Sequence, residues 1–185
     1  MRKLKILLLF LLLLGFGRTA LAQGEPVTDQ ADLLTEAQEE RLTEQFQSLR
    51  EEYGCDIGVV TVNSCQGKRI QDFTDDYYYQ QGYGVGEDRS GVLLAVSMGE
   101  REWYISTRGE AIRIFTDYGL GILEEEIVPL LSEGEYEKAF ETFGELSGEF
   151  MAEAAAGHPY DTNHTYDRPM PLWLRAVICL AAGLV

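Results

Sequence analysis

Leu42, Phe46, Leu49 and Tyr53 recur at three- and four-residue intervals among charged residues, which predicts one buried stripe on a helix. Thr35 followed by Gln38 has the spacing of a capping box at its start, and Gly54 supplies its stop. Asp56 to Asn63 is a short run rich in β-branched residues and reads as a central strand. A second helix follows with Ile70, Phe73 and Tyr77 on its inner face, and then a loop from Gln81 to Ser90. Gly91 to Ser97 is apolar at nearly every position, as expected of a strand buried on both faces. Met98-Gly99-Glu100 reads as a tight turn into an alternating strand, Arg101 to Thr107. A third helix is expected from Thr116 towards Leu131, with Pro129 bending or ending it. The last, about Glu135 to Ala156, carries Tyr136, Phe140, Phe143, Ser147, Phe150 and Ala154 on one face. The order α-β-α-β-β-α-α predicts a single α/β domain, a mixed central sheet with helices on both faces.

The two ends differ from this domain. Met1 to Lys5 is basic, Ile6 to Phe16 is apolar, and Ala20-Leu21-Ala22 has the small-residue form of a cleavage site. Those are the parts of a secretory signal peptide over 1–22, with an uncleaved anchor or a buried helix as the alternative. The apolar run falls short of the roughly 20 residues that span a bilayer. Residues 158–171 are polar, interrupted by Pro and aperiodic, and read as a juxtamembrane stalk to the domain at 27–157. Residues 172–185 end on a stretch without polar side chains from Ala176 to Val185. Trp173 and Arg175 at its start suit a membrane interface, so the segment is expected to begin a transmembrane helix. The alternative is a C-terminal helix docked on the domain. Export and anchoring together place the domain on the extracytoplasmic side of a cell membrane, attached by a single pass.

Charge narrows the partners. The chain has 185 residues, 15 Lys and Arg against 31 Asp and Glu, and a formal charge of −16. Without the signal peptide, 11 basic side chains face 31 acidic ones, a formal −20. Such a surface repels nucleic acid, which is bound through clustered Lys and Arg. It is compatible with divalent cations and basic partners. Of three cysteines, Cys179 lies in the expected membrane segment, whereas Cys55 and Cys65 flank the first long strand. Ten extended residues span about 30 Å, and a disulfide needs Cα atoms within about 7 Å, so these two are expected to be unpaired, as small buried or edge residues. Cys65 also lacks an Arg six positions on, where Gln71 stands, which excludes the C-x5-R phosphatase loop.

Other catalytic patterns are sparse. Gly82, Gly84 and Gly86 form a glycine string, but it leaves a helix and enters a strand, the reverse of a phosphate-cradling loop. The only histidines, His158 and His164, lie in the expected stalk, so a His-based triad within the domain is excluded. Carboxylates remain. Asp29 and Asp32 precede the first helix, Glu87 and Asp88 lie in the glycine loop, and Asp117 opens the third helix. Carboxylates from separate loops suit a hard cation such as Ca²⁺ or Mg²⁺. Loops at strand and helix ends are where ligand sites of α/β sheets gather. Asp29, Asp88 and Asp117 are therefore expected to converge near Arg101 as an acidic cleft and metal site. The alternative is that these residues are helix-capping or solvated.

Several motifs resemble the TPM domain family of thylakoid-lumen photosystem II repair proteins and their bacterial relatives. Val27 to Thr35 is similar to the family's V-x-D-x-A-x-L-L-S start. Cys55 to Val62 resembles its G-x-E-I-x-V-V-T-V strand, with Asp56 in place of Glu. Gly82 to Val96 resembles W-G-I-G followed by N-G-V-L-L-L, with Tyr83 and Ser90 as the departures. Arg101, Ile105 and the Phe115-Thr116-Asp117 triplet follow in order. The family's glycine-rich G-x-G-L-E stretch is replaced here by the segment from Thr107 to Phe115. The resemblance implies a signal peptide, one domain and a membrane helix, and for plant members acid phosphatase activity and divalent-cation binding. Two functions follow as expectations. The first is a binding, assembly or repair module for envelope proteins; the second is a cation-dependent phosphatase-like hydrolase working through carboxylates.

Overall fold

The computed structural model describes residues 24–167. The expected signal peptide, the membrane segment and Cys179 lie outside these residues. Among the described residues no helix is long and apolar enough to cross a membrane.

The described chain runs β1 (Val27–Asp29), α1 (Glu36–Tyr53), β2 (Asp56–Val62), α2 (Ile70–Gln80), β3 (Gly91–Ser97), β4 (Glu102–Arg108), α3 (Ala111–Ile114), α4 (Asp117–Glu133), α5 (Tyr136–Ala155). The four strands form one sheet in the order β1-β2-β3-β4. The first three are parallel, and β4 returns antiparallel against β3, with Ser97 opposite Glu102 and Gly91 opposite Arg108. The expected mixed α/β sheet is thus present, with β1 as a strand that the sequence pattern did not announce.

Side-chain alternation divides the core into two layers. Ile57, Val59, Val92 and Leu94 face α1 and α5, whose Phe46, Phe140, Phe143 and Phe150 are fully buried, and α4 lies alongside α5. Val60, Val62, Leu93 and Ala95 face the other way, towards α2 and Tyr83. One face therefore carries three long helices and the other a single one.

α1 begins as expected: the Gln38 side-chain oxygen accepts the Thr35 N–H at 2.7 Å. It ends on Gly54 at φ 63°, a left-handed conformation open to glycine at little cost. Cys55 and Cys65 are both free and buried, as their separation required.

Three expectations are corrected. The inner face of α2 is Ile70, Thr74 and Tyr78, with Phe73 and Tyr77 only partly buried. Two polar atoms make this rotation acceptable. Thr74 Oγ1 donates to the Ile70 carbonyl at 2.7 Å, and the Tyr78 hydroxyl donates to the Arg89 carbonyl at 2.8 Å. Of the two roles expected of Pro129, ending the helix is excluded: α4 packs along α5 and continues to Gly134, where φ is 80°. The segment after α5 is not a free stalk as far as it is described. Tyr160 is buried against Phe150 and Tyr166, the Thr116 hydroxyl donates to its carbonyl at 2.6 Å, and Tyr166 N–H donates to the Tyr118 hydroxyl at 3.2 Å.

Candidate functional site

The C-terminal ends of β1, β2 and β3 lie together at one end of the sheet. Asp29 ends β1 there, beside Thr61 of β2. One of its oxygens accepts the Leu33 and Leu34 N–H groups at 2.6 and 2.7 Å, and the other accepts the Thr61 hydroxyl. This carboxylate stitches the β1–α1 turn to β2 and has both oxygens engaged.

Glu100, in the β3–β4 turn, has an equally defined role at the same end. It accepts from the Ser97 hydroxyl, from the Ser64 hydroxyl at 2.9 Å and from Cys65 N–H at 3.1 Å. These donors, Ser97 first, lower its pKa from 4.5 to about 2. A carboxylate with a depressed folded-state pKa contributes stability above its unfolded pKa and loses it as pH falls through the folded value. Glu100→Gln is therefore expected to lower Tm at neutral pH, and its deficit against wild type should shrink between pH 4.5 and 2. A thermal melt series over that range checks this; a deficit unchanged at pH 2 would assign Glu100 another role.

The opposite end of the sheet holds the glycine loop. Gly84 has φ 96°, and a Cβ there would meet the Arg89 carbonyl at 2.5 Å, so the loop can fold back only through glycine. Val85 and Ser90 pair across it. The string is a turn against the sheet end, with Gly84 N–H donating to Asp56 at 2.8 Å. Asp88, in the same loop, accepts the Glu110 N–H at 3.1 Å and steadies the entry to α3.

The expected cleft is thus divided. Asp88 lies before β3 and beside Gly109, whereas Asp29 and Arg101 lie seven residues away along the strands, at the other end. Asp29 and Arg101 are themselves on opposite edges of the four-stranded sheet, three strand spacings or about 14 Å apart. Asp117 opens α4 in a separate recess with Tyr118, Gly121 and Tyr166. The structure does not bring the three carboxylates together, and among the described residues no group of three His, Cys, Asp or Glu is placed to hold a metal. Asp29, Asp88 and Asp117 do not fit a shared Ca²⁺ or Mg²⁺. His158 and His164 are exposed, His164 stacking on Tyr160 at 5.0 Å.

Arg101 marks a different site. It is held at φ 57° in the hairpin turn, a left-handed conformation uncommon for a side chain of this size. It opens a groove of about 370 Å³ between β4 and the end of α4, lined by Met98, Trp103, Val128, Leu131 and Tyr136. Trp103 is half-exposed in it. The sequence pattern held one usable signal, the odd-numbered alternation of Trp103 and Ile105 along β4. It gave no indication that α4 stops short of covering the tryptophan.

The profile of the TPM domain matches residues 27–148, from the first strand into α5. The UPF0603 protein YdjH of Bacillus subtilis (strain 168) is 26% identical over 181 residues, covering 96% of this chain and 67% of that protein. A solution NMR structure of the N-terminal domain of a protein from P. gingivalis superposes with a TM-score of 0.58 at 24% identity, over 74% of this chain and 87% of that one. A protein from the psychrophilic bacterium Bizionia argentinensis gives 0.57 at 16% identity, over 74% and 91%. These structures share the fold. With the profile spanning all four strands and reaching into the last helix, the chain belongs to the TPM domain family.

Proposed function

We propose that this TPM domain is a protein-binding module that works on envelope proteins from the extracytoplasmic side of a cell membrane, in assembly or repair. The observation that carries this is the groove beside Trp103. It is concave and of mixed lining, Met98, Trp103, Val128 and Leu131 standing beside Arg101, Glu102 and Ser132. Aromatic side chains and Arg in such a setting are the usual anchors of a protein interface. Two of the three carboxylates expected for a hydrolase are engaged, Asp29 and Asp88 each accepting hydrogen bonds that fasten one loop to the next, and Asp117 stands apart in its own recess. The basic, apolar and small-residue order of 1–22 and the apolar run near Val185 support the location.

The test has two arms. Purified full-length chain in detergent is expected to leave p-nitrophenyl phosphate unhydrolysed, with or without Ca²⁺ and Mg²⁺. A photo-crosslinking residue at position 103, activated in intact cells, is expected to capture an envelope protein. Turnover that follows the protein through purification, with no capture at position 103, would favour the hydrolase and overturn the binding reading.

A further inference from the structure

β4 pairs with β3 alone and ends the sheet. An edge strand leaves half of its N–H and C=O groups without a strand partner. Among the described residues, no backbone or side-chain group is hydrogen-bonded to the outer side of Glu102–Arg108. Sheet edges are ordinarily blunted by shortness, proline, a bulge or a covering element. The other edge, β1, is blunted by having three residues. β4 has seven, contains no proline and keeps continuous register throughout.

Both flanks of this edge are recessed. On the three-helix face lies the Trp103 groove; on the α2 face lies a recess of about 420 Å³ lined by Arg69, Ile70 and Gln71. Arg101, Glu102 and Trp103 line both, so the two hollows follow one strand on either side. Guanidinium groups bracket the edge. Arg101 makes no hydrogen bond or ion pair among the described residues, and Arg69 lies near it across the recess. At the far end Arg108 and Arg89 sit over the Tyr79 ring at 5.4 and 5.6 Å; Arg108 Nη2 pairs with Asp75 at 2.7 Å, and its Nε is buried without a partner. Arg69 is paired with Asp72 and Arg108 with Asp75, so the positive charge left open at the two ends of this edge is that of Arg101 and Arg89.

We propose that β4 accepts an extended segment of a partner protein as a fifth strand. The segment carries a bulky apolar side chain for the Trp103 groove and carboxylates towards its ends for Arg101 and for Arg89. Main-chain hydrogen bonds to the open edge supply the attachment, and the pockets for alternate side chains supply selectivity. Seven residues at about 3.3 Å each give a contact of about 23 Å. A second copy is the poorer occupant. Antiparallel self-pairing of β4 would bring the unpaired Arg101 of one copy towards Arg89 of the other, at both ends. This proposal rests on the binding-module reading and names its partner's chemistry.

The probe is a displayed library of linear 12-residue peptides, selected against the full-length chain in detergent. Selected peptides are expected to carry a large apolar residue flanked by Asp or Glu, and to slow hydrogen exchange at the Glu102–Arg108 amides. Methylating alternate peptide nitrogens should abolish binding. Arg101→Glu, at an exposed and unpaired position, should weaken it at least tenfold while leaving the melting curve in place. An empty selection, protection elsewhere, or indifference to N-methylation overturns the proposal. So does concentration-dependent protection of β4 without peptide, which would give the edge to a second copy. Capture at position 103 without strand protection would leave the binding module standing and remove only the fifth strand.

Discussion

Replacing Arg50 with Met is expected to destabilise the domain by about 3–5 kcal/mol, the usual cost of removing one partner from a buried ion pair. Asp56 is fully buried at the start of β2. Arg50 reaches its Oδ1 with Nε at 2.7 Å and Nη2 at 2.5 Å. The other carboxylate oxygen accepts Gly84 N–H, and Arg50 Nη2 also donates to the Gly24 carbonyl at 3.3 Å. One carboxylate therefore joins the end of α1, the head of β2 and the glycine loop. Without Arg50 its charge would stay in a site that water does not reach. The double variant Arg50→Met, Asp56→Leu should recover much of the loss, because well-packed apolar groups replace such pairs at little cost. Urea unfolding of the three proteins measures this. A small loss in Arg50→Met would show a pair that solvent screens.

Phe46→Ala should cost a similar amount, about 3–5 kcal/mol, through the cavity left between α1 and α5. Phe46 is completely buried and meets Phe143 edge-on, with ring centroids 6.2 Å apart. The space is closely fitted. A Cβ on Gly144 would stand 2.7 Å from the Phe46 ring, so the facing helix comes close only because that position has no side chain. Thermal or urea unfolding reads the loss. A midpoint that scarcely moves would show that α5 collapses onto the vacancy.

Much of the framework was legible because local chemistry and tertiary role agree. Thr35, Gln38 and Gly54 delimit α1 in any context, and the apolar runs of β2 and β3 can only be buried strands. The misses share one cause, a partner supplied by a different element of the fold. Three residues of β1 make a strand only because Val59 to Thr61 lie beside them. The inner face of α2 turns to Thr74 and Tyr78 because a carbonyl at Arg89 is there to receive a hydroxyl. Arg50 looked like an ordinary charge in the last turn of a helix. Its pairing depends on the reversal at Gly54, which folds α1's end over the head of β2. The proposed cleft failed for the same reason. Sequence assigns Asp29, Asp88 and Asp117 to loops, but strand direction decides which end of the sheet each loop occupies.

The aromatic clasp after α5 has a mechanical consequence. A pull on the chain from beyond Asp167 would first load the Tyr166–Tyr118 and Tyr160–Thr116 bonds, which tie the segment to the start of α4. Tension would be taken by peeling, one attachment at a time, before it reached the last turn of α5. Releasing residues 158–167 would add a reach of up to about 35 Å after α5, that of an extended chain. The rings of Phe150, Tyr160 and Tyr166 thus act as a strain relief, letting the chain beyond α5 move while the sheet stays assembled.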